Sequence, residues 1–110
     1  MAYDEELADR LREALQDVSG VTEQRMFGGL AFMVSGRMAV AASNQGGLMV
    51  RVDASLSDEL VSRPHASRMV MRGKEMNGWL RVDADGLRTD PDLASWVETA
   101  LSYARSLPST

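Results

Sequence analysis

A chain of 110 residues with no cysteine and a single histidine suits one core, and it excludes disulfides, thiolate metal sites, iron–sulfur clusters and thiol catalysis. Apolar residues make up 45% and charged residues 25%, the balance of an ordinary globular protein. No apolar run approaches the ~18–20 residues of a membrane span. The acidic opening, Asp4-Glu5-Glu6, is unlike a secretory leader, so the expectation is one cytoplasmic domain, residues 1–110, with no membrane contact.

The net charge of −4 is unevenly spread. Residues 1–24 carry seven acids against two arginines, residues 25–81 eight bases against four acids, and residues 82–110 five acids against two arginines. A net acidic chain is a poor ligand for phosphates, because nucleic-acid affinity comes mainly from displacing counterions with positive charge. The basic middle keeps a local patch open.

Leu7, Leu11, Leu15 and Val18 recur at helical spacing and predict a helix over 3–18, with acids near its positive end and Ser19-Gly20 as its stop. From 21 onward the period changes to two. Strand candidates run over 21–27, 30–35, 38–42 and 48–52, with Gly28-Gly29, Gly36-Arg37 and Asn44 to Gly47 as the turns. A short helix follows, with Ser55 and Ser57 as capping candidates and Pro64 as its stop. Strands at 69–71 and 79–82 are joined by the polar link 72–78. Asp90-Pro91 then opens a closing helix, with aspartate as cap and proline at the first helical position. Its apolar stripe is Leu93, Trp96, Val97, Ala100, Leu101 and Ala104.

This order predicts an α+β fold: one antiparallel sheet of five to six strands with the helices packed on one face. Alternation assigns Leu30, Phe32, Val34, Met38, Val40, Leu48, Val50 and Val52 to the helix side. It leaves Ala31, Met33, Ala39, Ala41, Met49 and Arg51 on the other. That second set is unusually apolar for a solvated face.

The search for chemistry nominates no catalytic, cofactor or metal site. His65 lies in a predicted loop with no nucleophile-elbow serine in the chain. Asp83-Ala84-Asp85-Gly86 begins like a calcium loop but lacks the later bidentate glutamate. Gly28-Gly29 and Gly46-Gly47 fit no phosphate-loop spacing and open no helix. Methionine at eight positions is first a core filler, with Met33 and Met49 on the second face left as candidates for partner contact.

Arg25-Met26-Phe27-Gly28-Gly29-Leu30-Ala31-Phe32, then Gly36-Arg37-Met38-Ala39, resembles the opening of the TfoX/Sxy N-terminal domain family. The likeness continues in Gly47 to Asp53, in Met76-Asn77-Gly78-Trp79 and in Tyr103 to Pro108. The resemblance implies a small α+β domain and an association with bacterial natural competence, where full-length members act as coactivators beside a CRP-type transcription factor. Those members carry a second, helical domain, so the expectation here is a stand-alone module with a protein partner. The resemblance supplies no catalytic residues.

The leading expectation is therefore a non-enzymatic, regulatory protein-interaction module. Its working surface would be the second sheet face: Met33, Ala39, Ala41 and Met49 as an apolar centre, Arg51 with Arg25 or Arg37 as a charged edge, covered most simply by an isologous homodimer. Met26, Phe27, Gly28 and Gly29 are expected to be structural. The alternative is a nucleic-acid contact through Arg63, Arg68, Arg72, Lys74 and Arg81.

Overall fold

A computed structural model describes residues 4–106 apart from 27, 45 and 72. The Asp4 carboxylate accepts the backbone N–H groups of Glu6 and Leu7, and so caps helix α1 (Glu5–Ala14). Strands β1 (Val21–Met26), β2 (Gly29–Val34), β3 (Arg37–Ala42) and β4 (Leu48–Arg51) follow as a meander. Asp53 then caps a 3-10 turn (Ala54–Leu56) that leads into the one-turn helix α2 (Ser57–Leu60). The hairpin β5 (Ala66–Met71) and β6 (Lys74–Val82) and a second 3-10 turn (Ala84–Leu87) precede the long helix α3 (Asp90–Ser106).

The strands form one antiparallel six-stranded sheet in the order β1-β2-β3-β4-β6-β5. The α+β expectation holds, and the strand number lies within the expected range. The main core joins the sheet to α1 and α3. Leu11 and Trp96 from the helices and Phe32, Val40, Val50 and Leu80 from the sheet are almost wholly buried in it. Arg12 ties α1 to the sheet edge: its Nε and Nη2 each donate to Glu23 of β1 at 2.8 Å.

Several local expectations need correction. The β2–β3 link is Ser35-Gly36 rather than Gly36-Arg37. Both have positive φ, 52° and 83°, the conformation that a two-residue turn adopts when its twist matches the strands. Thr89 rather than Asp90 caps α3, its hydroxyl accepting the Asp92 N–H at 3.2 Å. The link predicted over 72–78 is mostly strand, because β6 begins at Lys74.

The largest correction concerns the sheet faces. Phe32 pairs with Val40, but Met33 pairs with Met38, so Ala39 is an extra residue on β3. Such a bulge sends two successive side chains to one side. Ala39 therefore joins Val40 in the helix-side core, and Met38 falls on the opposite face, the reverse of both assignments by alternation. Arg25 pairs with Leu30 and Arg37 with Val34, which places both arginines on the helix side as well.

Candidate functional site

The second face of the sheet carries its own apolar cluster. Ala31, Met38, Ala41, Met49 and Met69 form its floor, and Met26, Met33, Met76 and Trp79 pack against them. Six of the eight methionines are thus on this side, and no helical side chain belongs to the cluster. Its construction follows from residue size. Ala31 and Ala41 are cross-strand neighbours, and Ala41 is in turn opposite Met49. Two methyl groups at the centre leave room for long, unbranched thioether chains to lie across them.

That packing corrects the expectation of a bare apolar face. Ala41 is 5% exposed and Met49 7%, so neither meets solvent appreciably. The residual space among Met26, Ala31, Met38, Ala41 and Met49 is about 10 Å³, at the lower limit for one water. What the face presents outward is the half-buried outer layer, Met26, Met33, Met76 and Trp79. Of the seven residues expected to bind a partner, the structure brings Met33, Ala41, Met49 and Arg51 to this side and sends Ala39, Arg25 and Arg37 to the other.

The charge on this face is one-sided. Of the sixteen carboxylates only Glu23 and Glu75 lie in strands. Glu23 is opposite Phe32, and Glu75 sits against Arg68, whose hydroxyl and carboxylate partners, Ser57 and Asp58, come from α2. Both therefore face the helix side. Arg51 and Arg81 alternate with core-facing Val50 and Leu80, and Lys74 precedes Met76 by two, so three cations take the methionine side. Arg51 is held between two rings: its guanidinium carbon lies 5.7 Å from the Trp79 centroid and 5.6 Å from that of Tyr103 on α3. Arg81 donates to the Gly46 carbonyl at 2.8 Å and so secures the β3–β4 turn.

Two carboxyl groups are held below the usual carboxylate range. For Glu23 the cause is the pair of hydrogen bonds from Arg12, which raises the Arg12 value in return. For Asp53 it is the Ser55 backbone N–H at 2.9 Å, helped by the Ser55 hydroxyl at 2.8 Å.

The four described basic residues of the nucleic-acid alternative do not form one patch. Arg63 lies over the Trp96 ring, 3.8 Å from its centroid, and donates to the Ser95 hydroxyl. Arg68 is ion-paired with Asp58 and Glu75. Arg81 secures a turn on the other face, and Lys74 stands near the hairpin tip. Arg72 lies outside the described residues.

Neither Gly28 nor Gly29 leaves room for a side chain. Gly28 takes φ of +77°, and a Cβ there would stand 2.7 Å from the Asn44 amide nitrogen; at Gly29 it would run into the Ala42 carbonyl oxygen. Met26 packs on the second cluster, while Phe27 lies outside the described residues. His65 is exposed, as expected of a loop. Among the described residues no group of three or more His, Cys, Asp or Glu side chains could hold a metal ion.

Sequence reasoning missed a groove between the 3-10 turn with α2 and the last turns of α3. It encloses about 520 Å³ and is lined by Leu56, Leu60 and Tyr103 with Asp53 and Glu98. It also missed the clasp of Arg51 between Trp79 and Tyr103. Only the β4–β6 pairing brings the first two together, and no local pattern encodes that pairing.

No curated protein and no solved structure matches the chain. A model of the TfoX N-terminal domain does match, over residues 13–104, and since that is most of its length the protein belongs to the TfoX N-terminal domain family.

Proposed function

We propose that this protein is a non-enzymatic regulatory module that works by contact with another protein, in the transcriptional or competence setting that its family resemblance implies. The contact surface is the methionine-lined face of the sheet. One observation carries this reading: among the described residues no helical side chain joins the cluster on this face, Met26, Met33, Met76 and Trp79 surface it, and the charged strand residues on it are cations. Methionine-rich surfaces re-pack around a partner because the thioether chain is flexible and polarizable. Depletion of charge at the centre with arginine at the border is the usual anatomy of a contact patch.

The charge selects the occupant. Acids crowd α1 and α3, whereas this face offers Arg51, Lys74 and Arg81, so it suits a partner segment that is apolar and acidic. Photocrosslinking in the cells that make the protein tests the reading. A photoreactive side chain at Met33 or Met76 should give one discrete protein adduct, and the same group at Glu13 on α1 should not. Adding Lys74→Glu should reduce the adduct. Equal adducts from both faces, or none from Met33 and Met76, would overturn the assignment. Crosslinks to DNA instead of protein would transfer the face to the nucleic-acid alternative.

A further inference from the structure

The two edges of the sheet are guarded very differently. The edge strand β1 shows Thr22, Glu23, Gln24 and Arg25 to solvent, a run of polar and charged side chains of the kind that discourages pairing with another chain. The other edge, β5, contains no acid, and its one arginine, Arg68, is drawn inward to Asp58 and Glu75. β5 packs substantially only on β6. It also carries Val70, 57% exposed, one of two large apolar side chains left in solvent among the described residues. The pairing of β5 with β6 shifts register between Arg68 and Val70, but the outer side of β5 is left unpaired and without an acid, and such an edge is a template for another strand.

We propose that two copies of this chain pair antiparallel along β5, with Met69 opposite the partner's Met69, to make one continuous twelve-strand sheet of two six-strand halves. The inference is independent of what docks on the methionine face. Two conditions select the register. A two-fold axis across an antiparallel pair keeps each residue on its own face only when the pairing is centred on a residue. Among such registers, those centred on Arg68 or Met69 use most of the strand, and centring on Arg68 sets like charges directly opposite, which is destabilising. Centring on Met69 sets Arg68 beside the partner's Val70 and the reverse. The exposed valine is then covered by the apolar stem of an arginine. The same register joins the two methionine clusters edge to edge, because Met69 belongs to each.

A strand-edge contact is small beside a standard interface of ~1,600 Å², so the association is reversible and depends on concentration. The chain has no cysteine, which makes a disulfide probe clean. Under mild oxidation Met69→Cys should give a covalent dimer much faster than Val70→Cys, whose partner copy lies two residues out of register. Sedimentation of the unmodified protein should show a monomer–dimer equilibrium. Val70→Lys, an exposed change that leaves the core untouched, should weaken it about tenfold by opposing Arg68. A protein that stays monomeric to about 1 mM, the weakest association worth the name, would overturn the proposal. So would a dimer indifferent to Val70→Lys in which Val70→Cys crosslinks as fast as Met69→Cys.

Discussion

The two faces of one sheet solve the same burial problem with different materials. On the helix side, branched and aromatic side chains meet α1 and α3, and Phe32, Trp96, Val40 and Val50 are almost wholly buried in close packing. On the other side, among the described residues, no helical side chain takes part, and a floor of two alanines and three methionines is covered by Met26, Met33, Met76 and Trp79. The first arrangement fixes one geometry. The second shields the sheet yet can re-pack, because each thioether chain has several low-energy shapes. The difference teaches that low exposure of a floor residue such as Ala41 does not make a face finished: its cover is a single adjustable layer.

The sharpest way to break that contrast is to truncate neighbours that point in opposite directions. Phe32→Ala should cost about 3–5 kcal/mol in urea denaturation, because it opens a cavity in the main core. Met33→Ala, one residue on, should cost about 1 kcal/mol or less, since the half-buried methionine is replaceable by its neighbours. Equal losses would mean that the methionine face is as rigid a core as the other. Gly29→Val should fall next, near 3 kcal/mol, because the added carbon meets the Ala42 carbonyl and backbone cannot yield. Arg51→Ala should cost about 1 kcal/mol through loss of the contact with Trp79 and Tyr103, and the change should appear in tryptophan fluorescence.

The smallest expected effect is electrostatic and belongs to the helix side. Glu23 is held below the ordinary glutamate value of 4.5 by Arg12, so its contribution is present above that pH and disappears as pH falls through the lower folded-state value. Glu23→Gln should therefore lower stability slightly at neutral pH and converge with the parent protein in acid. A difference that grows as pH falls would refute the pairing as drawn.

Much of this architecture was readable from residue spacing. The period-four leucines of α1, the period-two run from Leu30 to Val52 and the Leu93–Ala104 stripe each report a face that must be buried, so the α+β order followed from them. On β3 the face assignments failed for one reason. Alternation carries no mark of the extra residue at Ala39, and everything before it on β3 inverts, Met38 included. Arg25 and Arg37 went astray similarly, since which way an edge or turn-flanking arginine points depends on partners Leu30 and Val34 across the sheet. The methionine roof was half visible. Methionine at 26, 33, 38, 49, 69 and 76 was plain, but their convergence depends on a β6–β4 pairing that spans some thirty residues.

The claim that most needs testing is that the methionine face is the working surface. Peroxide oxidation of the protein, purified and inside the cells that make it, followed residue by residue by mass spectrometry, measures this directly. Met33 and Met76 should oxidise readily in the purified protein and be protected in the cell, while Met49 stays slow in both. Equal oxidation of Met33 and Met76 in the two settings would contradict the account.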